Sequence, residues 1–288
     1  MSEGFADPWE HLRLLADVPR NAAMLALLRR RAPGARVVEV GCGTGLLSCV
    51  AARLGAVRVI AVEETAMAEV AQALVAANGL EDRVEVRAAS FQDLAPERVD
   101  LVFSELLNAE PFAEGIVEVS RAARGWVGAS GHLAPRRLEV WAALVRDDGT
   151  AREHDGAMAE IARLAVAHGL ELGPVREVLG TPEPYPYLAE RATLASRPVC
   201  LFAADLADGE DPEDVDVAVQ VEEPGTVGGV AVWFRAELDD GIVLENQPDA
   251  PGHWGVQIVG WPTSVAVEPG ALALHAEVDG SGFEVHLR

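Results

Sequence analysis

The chain has 288 residues, 50% hydrophobic and 24% charged, with a formal net charge of −23. This composition excludes an intrinsically disordered protein, and no run approaches the roughly 20 apolar residues of a membrane span. The acid excess argues against a nucleic-acid backbone as partner, since phosphate contacts need basic patches; it suits a cationic ligand, or simple solubility.

In chain order, residues 9–31 have helical apolar spacing that Pro19 should break or restart. Short apolar runs at 36–40, 57–62, 84–87 and 99–103 read as strands. Helices at 46–54 and 67–77 lie between them, the second closed by the Asn78-Gly79 pair. Strands separated by helices imply an open parallel sheet of Rossmann type. After Pro135 the pattern changes to period-two alternation at 137–145, 215–221 and 229–238 and in the closing segments, as in antiparallel strands of a sandwich or barrel. Between them, 155–170 has helical spacing, 181–186 reads as a loop and 209–216 as a solvated acidic turn. The expected division is therefore 1–134 and 135–288. Cys42, Cys49 and Cys200 are too few for a disulfide framework and lack zinc-ligand spacing, so no metal site is expected. The first thirty residues, with Glu3, Asp7, Glu10 and several arginines, do not form a signal peptide, and the cytoplasm is the expected location. All 23 basic residues are arginine, which together with the Ala, Gly, Val and Glu excess suggests a GC-rich bacterial coding sequence.

The chemistry begins at Glu39-Val-Gly41-Cys-Gly43-Thr-Gly45, between a strand and a helix, where glycines let a ligand approach the backbone. Glu63 ends the next strand, 18 residues beyond Gly45, where it can accept hydrogen bonds from ribose hydroxyls. The spacing is G-x-G-x-G, with an acid two residues before the first glycine. That form resembles the S-adenosylmethionine loop of class I methyltransferases; a nucleotide-binding or degenerate Rossmann domain is the rival. Glu105 and Glu114 lie nine positions apart after the fourth strand, at the usual ligand edge of a parallel sheet. Two carboxylates make a good site for a cation, and the planar fork of guanidinium matches them best.

With these motifs in place, the sequence resembles the protein arginine methyltransferase family. Glu105 and Glu114 resemble that family's double-glutamate loop, and 11–20 resembles its cofactor-covering helix, with His11, Asp17 and Arg20 at the family's positions. Gly252-His253-Trp254 resembles the Thr-His-Trp loop of its β-barrel domain, and 233–239 the strand before that loop. The resemblance implies a Rossmann-like domain followed by an antiparallel β-barrel or sandwich, and S-adenosylmethionine as cofactor. It implies cofactor contacts from His11, Arg20, Glu39, Gly41, Gly43, Gly45, Glu63 and Ser90, with Arg20 on the cofactor carboxylate. Substrate contacts would come from Glu105, Glu110, Glu114 and Trp254, and His253 would pair with Asp17. It also implies a homodimer, whose arm could come only from about 155–186. The sequence departs from the family at Gly252, which replaces a threonine, and at Leu14 and Ile116, where dimethylating members carry methionines. Ser90 stands where many members have a glutamate. Glu110 looks most like the monomethylating branch.

A protonated guanidinium, with its pKa above about 12, is a poor nucleophile and must approach a second positive charge on the methyl donor. Glu105 and Glu114 would offset that repulsion and draw charge towards the nitrogens they hold. Three readings follow: an arginine N-methyltransferase acting on free or peptide arginine, a methyltransferase for another amine or hydroxyl, and a docking protein that keeps the fold without activity.

Overall fold

The computed structural model describes residues 8–146, 150–173, 185–189, 192–208, 213–250, 252–279 and 282–287. The N-terminal helical stretch is two helices, α1 (Pro8–Ala16) and α2 (Val18–Arg31). The break falls at Asp17, whose side chain accepts from the Arg20 N–H at 2.9 Å and caps α2. Pro19 sits in the first turn of α2, where its missing N–H is not needed.

Five strands follow: β1 (Arg36–Val40), β2 (Arg58–Glu63), β3 (Val84–Ala88), β4 (Val99–Ser104) and β5 (Val127–Ala134). They pair in parallel in the order β3-β2-β1-β4-β5. Helices α3 (Leu46–Arg53), α4 (Met67–Ala77) and α5 (Ile116–Ala123) alternate with them. The order reverses between β1 and β4, so the loops leaving these two strands open at one edge of the sheet, the switch point where such sheets hold ligands. β5 is absent from the sequence reading because Gly128, Ser130 and Gly131 interrupt its apolar pattern. It owes its strand conformation to β4, which it joins with a register shift.

The chain changes sheet between Ala134 and Arg137. Beyond it lie β6 (Arg137–Arg146), β7 (Tyr185–Ala189), β8 (Val199–Asp205), β9 (Val215–Val221), β10 (Gly225–Asp239), β11 (Ile242–Glu245), β12 (Val256–Val267), β13 (Gly270–Asp279) and β14 (Gly282–Leu287). Antiparallel pairing gives a sheet in the order β7-β12-β10-β6-β8, with β11 on β10, and a second sheet β14-β13-β9. The barrel alternative is thereby corrected to two open sheets. Among the described residues β7 and β8, at the ends of the larger sheet, do not pair with each other.

α6 (Thr150–His168) packs on β12. Of the segment expected as a loop, 185–186 begin β7, and 181–184 lie outside the described residues, as do 209–212 of the acidic turn. The 155–186 segment thus comprises most of α6 and the start of β7, with 174–184 outside the described residues.

One apolar cluster runs through both parts, from Met24, Leu27 and Leu28 of α2 to Phe234 and Leu244. At its edge Arg31 grips Asp239 with two bonds of 2.8 Å, and Asp239 is fully buried. These guanidinium hydrogen bonds hold the Asp239 carboxyl well below its usual range despite burial. The second helix is therefore tied to the antiparallel part by a buried ion pair as well as by the shared apolar cluster.

Candidate active site

The loop after β1 closes on itself through Glu63. The Gly43 N–H donates to Glu63 Oε2 at 2.8 Å, and the Thr65 N–H donates to Oε1 at 2.9 Å. Gly41 donates to the Val62 carbonyl, and Gly45 begins α3. Gly43 must be glycine: its φ is +50°, and a Cβ there would lie 2.9 Å from Cε1 of His11. α1 thus lays His11 over the loop at the residue with no side chain. On the other flank, Leu106 covers Gly41 closely enough that a Cβ would meet its Cδ2 at 2.8 Å.

Glu39, at the end of β1, is buried beneath this loop and accepts from the Ser48 hydroxyl on α3. Burial pushes its carboxyl up to about 8, against the pull of Ser48 and of the Arg20 charge. Ser90 begins the short helical turn after β3, and its hydroxyl makes no capping bond.

The second loop, between β4 and α5, carries the carboxylates. Glu105 is held by Arg20: Nε at 2.8 Å and Nη2 at 2.6 Å both donate to Oε2, with the two side chains 5% and 6% exposed. Glu105 Oε1 is buried and makes no hydrogen bond of ordinary geometry among the described residues. Burial raises the Glu105 carboxyl, opposed by the charge and hydrogen bonds of Arg20 and by the indole N–H of Trp254. Glu114, at the far end of the loop, accepts from Asn108 Nδ2 at 3.2 Å. Burial pushes it up to about 8, and the neighbouring Glu105 charge pushes the same way. Glu110 lies face-on to Gly282 of β14, its carboxyl atoms 3.9 Å from where a Cβ would stand. It reaches towards the C-terminal hairpin.

The third element is the turn after β11. His253 donates its backbone N–H to Asp17 Oδ2 at 2.9 Å, and its Nδ1 lies 3.0 Å from the same oxygen. Burial lowers the imidazole pKa, with the Asp17 hydrogen bond acting against it. Asp17 stays below the usual carboxylate range despite burial, because the N–H groups of Arg20 and His253 and the His253 ring all stabilise its charge. Gly252, where the family has threonine, has φ +65°, and a Cβ there would lie 2.5 Å from Asp17 Oδ2. In this chain the glycine is what lets the acid come so close. Trp254 is buried, and its indole N–H donates to the Leu107 carbonyl at 2.9 Å. It therefore reaches the double-glutamate loop at the Leu107 backbone and also stabilises the Glu105 carboxylate.

Arg20, which without the resemblance reads as a surface arginine, is 5% exposed and central. Asn108, Ser48, Asn21 and Arg13 were not singled out from the sequence. Asn21 Oδ1 takes Arg20 Nη1 at 3.1 Å, and Arg13 donates to the His253 carbonyl at 3.1 Å. Only Asn108 carries a signal that reading could have used, an amide standing between two spaced acids. Among the described residues no group of three or more His, Cys, Asp or Glu could hold a metal ion, and no helix is long and apolar enough to cross a membrane.

Comparison with known proteins accords with this geometry. The ribosomal protein L11 methyltransferase (PrmA) family profile matches residues 21–159. An arginine N(omega)-methyltransferase of Streptomyces achromogenes subsp. streptozoticus is 30% identical over 271 residues, 88% of this chain and 70% of that protein. The histone-arginine methyltransferase CARMER of Drosophila persimilis is 28% identical over 229 residues, 76% of this chain but only 43% of that longer protein. Among solved structures, protein arginine methyltransferase 10 of Arabidopsis thaliana superposes with a TM-score of 0.86 at 24% identity, over 99% of this chain and 93% of that one. The Trypanosoma brucei PRMT1 enzyme-prozyme complex with AdoHcy gives a TM-score of 0.82 at 20% identity, over 99% and 94% of the respective chains. At these identities the two structures speak for the fold alone.

Proposed function

The chain belongs to the family of S-adenosylmethionine-dependent arginine N-methyltransferases, and from that membership we propose that it methylates a guanidino nitrogen of arginine, free or within a peptide. The observation that carries the acceptor assignment is the pair Glu105 and Glu114, both shifted upward by burial, with Glu105 Oε1 buried and making no hydrogen bond of ordinary geometry among the described residues. A buried carboxylate oxygen with no donor is a costly arrangement unless a donor arrives. A guanidinium brings several in one plane.

The donor side fits S-adenosylmethionine. The glycine loop and Glu63 lie side by side at the switch-point edge of the sheet, and Glu63 has lone pairs left after its two backbone bonds. Glu63 would hold the ribose, Ser90 would face the adenine, and Arg20 would meet the carboxylate, with His11, Glu39, Gly41, Gly43 and Gly45 around them. Bound there, the cofactor supplies an electrophilic methyl on a sulfonium. This chain's residues do the rest. Glu105 and Glu114 hold the acceptor and draw its positive charge to the nitrogens they grip, which leaves the third nitrogen's lone pair available. Orientation of two bound reactants supplies roughly 7–11 kcal/mol at its upper end. Asp17 and His253 tie the antiparallel part to the helix that would cover the donor, and His253 would accept the released proton.

Glu110, a third carboxylate in the loop at a spacing resembling the monomethylating branch, supports ω-N-monomethylarginine as the main product. The exposed apolar residues Leu164, Val166 and Leu170 of the α6 region, with Leu46 and Val70 on α3 and α4, support a homodimer in which α6 covers the partner's parallel-sheet domain. The cytoplasm is the proposed location. A mass-spectrometric assay with S-adenosylmethionine tests the whole reading, comparing free L-arginine with an Arg-Gly-rich peptide. Methylation of one or both is expected, with the monomethyl product dominant after long incubation. Failure of both acceptors would overturn the assignment, and dominant dimethylarginine would overturn the product.

A further inference from the structure

The acceptor side is rich in acid, which bears on the rest of the acceptor molecule. Glu105, Glu110 and Glu114 stand in one loop, and Arg20 joins Glu105 to a fourth carboxylate, Asp17. A free amino acid brings a carboxylate as well as a guanidinium, and among these acids that carboxylate needs a cation. Arg20 cannot supply it: it is buried, with Nε and Nη2 on Glu105 and Nη1 on Asn21. Arg13, on α1, is exposed and donates Nη2 to the His253 carbonyl at 3.1 Å. His253 is thereby held on both sides, its N–H and Nδ1 on Asp17 and its carbonyl on Arg13. The next residue, Trp254, reaches the acceptor loop at Leu107, and its ring lies 4.2 Å from the His253 ring. The turn that touches the acceptor loop is therefore also the turn that fixes Arg13. Exposure rises along the same path: the Glu105 side chain is 6% exposed, that of His253 is 12%, and Arg13 stands in solvent. An acceptor that enters guanidinium first leaves its α-carbon at the rim, and Arg13 is the cation that this turn holds there.

We propose that Arg13 receives the α-carboxylate of a free amino-acid acceptor, which makes the site selective for L-arginine over agmatine and over arginine inside a peptide chain. This rests on the acceptor reading given above and deepens it by naming the form of arginine. In a peptide the α-carbon carries a neutral amide, and in agmatine it carries hydrogen, so neither gains from a cation at the rim. The planar fork of Arg13 matches a carboxylate bidentately, whereas a peptide carbonyl offers one oxygen and no charge. The bond to the His253 carbonyl aims the side chain beforehand, so less rotamer freedom is lost when the carboxylate arrives. Because Arg13 is exposed, water and salt screen the pair, and the preference is moderate and falls as salt rises.

The test is steady-state methylation with saturating S-adenosylmethionine, read by mass spectrometry, with L-arginine, agmatine and Nα-acetyl-L-arginine amide as acceptors. In the wild type kcat/KM for L-arginine is expected to exceed that for each of the others about fivefold, and the ratio to shrink at high salt. The difference should lie in KM, since a contact made equally before and during methyl transfer does not change kcat. In Arg13→Gln the ratio is expected to fall to about one, in Arg13→Glu to fall below one, and in Arg13→Lys to lie between wild type and Arg13→Gln. If Arg13 only holds the His253 turn, Arg13→Gln lowers all three acceptors by one factor and keeps the wild-type ratio, and that result overturns the proposal. A wild type that uses agmatine or the acetyl amide as well as L-arginine overturns it too. Should the variants fail to fold, the wild-type ratios and their salt dependence decide alone. Methylation of an Arg-Gly-rich peptide without methylation of L-arginine overturns this inference and leaves the acceptor reading standing. Failure of every acceptor, that peptide included, overturns the acceptor reading and this inference with it.

Discussion

The proposed donor side and the proposed acceptor side of this site are built in opposite ways. On the donor side the loop's contacts are local: Gly43 and Glu63 bond across 20 residues, and Glu63 and Thr65 across two. The acceptor side is assembled from three distant segments. Arg20 reaches Glu105 across 85 positions, Trp254 reaches Leu107 across 147, and His253 reaches Asp17 across 236. A loop held within one β-α-β unit forms whenever the parallel sheet forms. The acceptor loop takes its shape only when α2 and the antiparallel part have both docked. Variants on the two sides should therefore separate donor affinity from acceptor affinity and from stability.

The largest effects belong to the two glutamates. Glu105→Gln and Glu114→Gln are each expected to lower turnover on the order of 10²-fold or more, the scale of losing one aligned electrostatic group in a closed site. S-adenosylhomocysteine binding should survive, as titration calorimetry would show. The two should differ in stability. Glu105→Gln leaves the buried Arg20 without its counter-charge, and breaking such a pair costs roughly 3–5 kcal/mol. Glu114→Gln replaces a carboxyl that is largely protonated at neutral pH by its near-isostere, so thermal unfolding should barely move. Equal loss of stability in the two variants would contradict the asymmetry of the loop.

That asymmetry also marks what reading the sequence could reach. The G-x-G-x-G run, the acid at Glu63 and the spacing of Glu105 and Glu114 are visible because each lies within one short stretch of chain. β5 was not visible, since its strand conformation comes from pairing with β4 rather than from its own Gly- and Ser-broken pattern. Sheet closure was not visible either. Alternating strands look the same in a barrel and in two open sheets, and only the pairing partners of β7 and β8 decide between them. The positions of Arg20, Asp17, His253 and Trp254 were legible only through family resemblance, because no local pattern distinguishes a buried arginine on a helix from a solvated one. The resemblance puts Arg20 on the cofactor carboxylate and says nothing of Glu105, which holds its guanidinium in the structure.

On the donor side, Glu63→Ala removes the acceptor for two backbone N–H groups as well as the proposed ribose contact. A hydrogen bond to a charged group is worth about 1.5–3 kcal/mol, so S-adenosylhomocysteine affinity should fall roughly 10- to 150-fold. Affinity for L-arginine measured without any nucleoside should stay the same. An unchanged nucleoside affinity would remove Glu63 from the donor side.

Titration of Glu114 gives a third, smaller contrast. Its folded-state carboxyl titrates at about 8, against an ordinary 4.5. A cationic acceptor binds the ionised form, so below pH 8 binding must expel a proton. Affinity for L-arginine is expected to rise roughly fivefold from pH 7 to pH 8 and to flatten above about pH 9. Stability runs the other way. A carboxyl with a raised folded pKa contributes stability that is complete below 4.5 and is lost as pH rises through 8, because the native state binds more protons than the unfolded one in that window. Glu39, also pushed up to about 8, adds the same trend, so the comparison of wild type with Glu114→Gln isolates the Glu114 part. Calorimetry in buffers of different ionisation enthalpy counts the released proton directly, and a count of zero at pH 7 would contradict the assignment.

The smallest effect should come from Trp254, whose main hydrogen bond is to the acceptor loop's backbone and whose hold on Glu105 is weaker than that of Arg20. Trp254→Phe keeps an aromatic ring against Phe234, whose centroid is 5.1 Å away in an edge arrangement, and against His253 at 4.2 Å. It deletes the indole N–H that donates to the carbonyl of Leu107, a residue that is only 3% exposed. An intramolecular hydrogen bond contributes about 1 kcal/mol, and a buried carbonyl left without its donor costs about 1–3 kcal/mol. Part of that cost is relieved if the loop shifts towards water. Leu107 lies between Glu105 and Asn108, so the same shift moves the amide that holds Glu114. The Michaelis constant for L-arginine should rise severalfold, with S-adenosylhomocysteine affinity unchanged and turnover at saturation little affected. This pattern separates a residue that holds the loop's backbone from one that touches the acceptor. If Trp254→Phe instead depressed turnover as deeply as Glu114→Gln with an unchanged Michaelis constant, the indole would belong among the groups that act on the acceptor itself, as the resemblance alone implies.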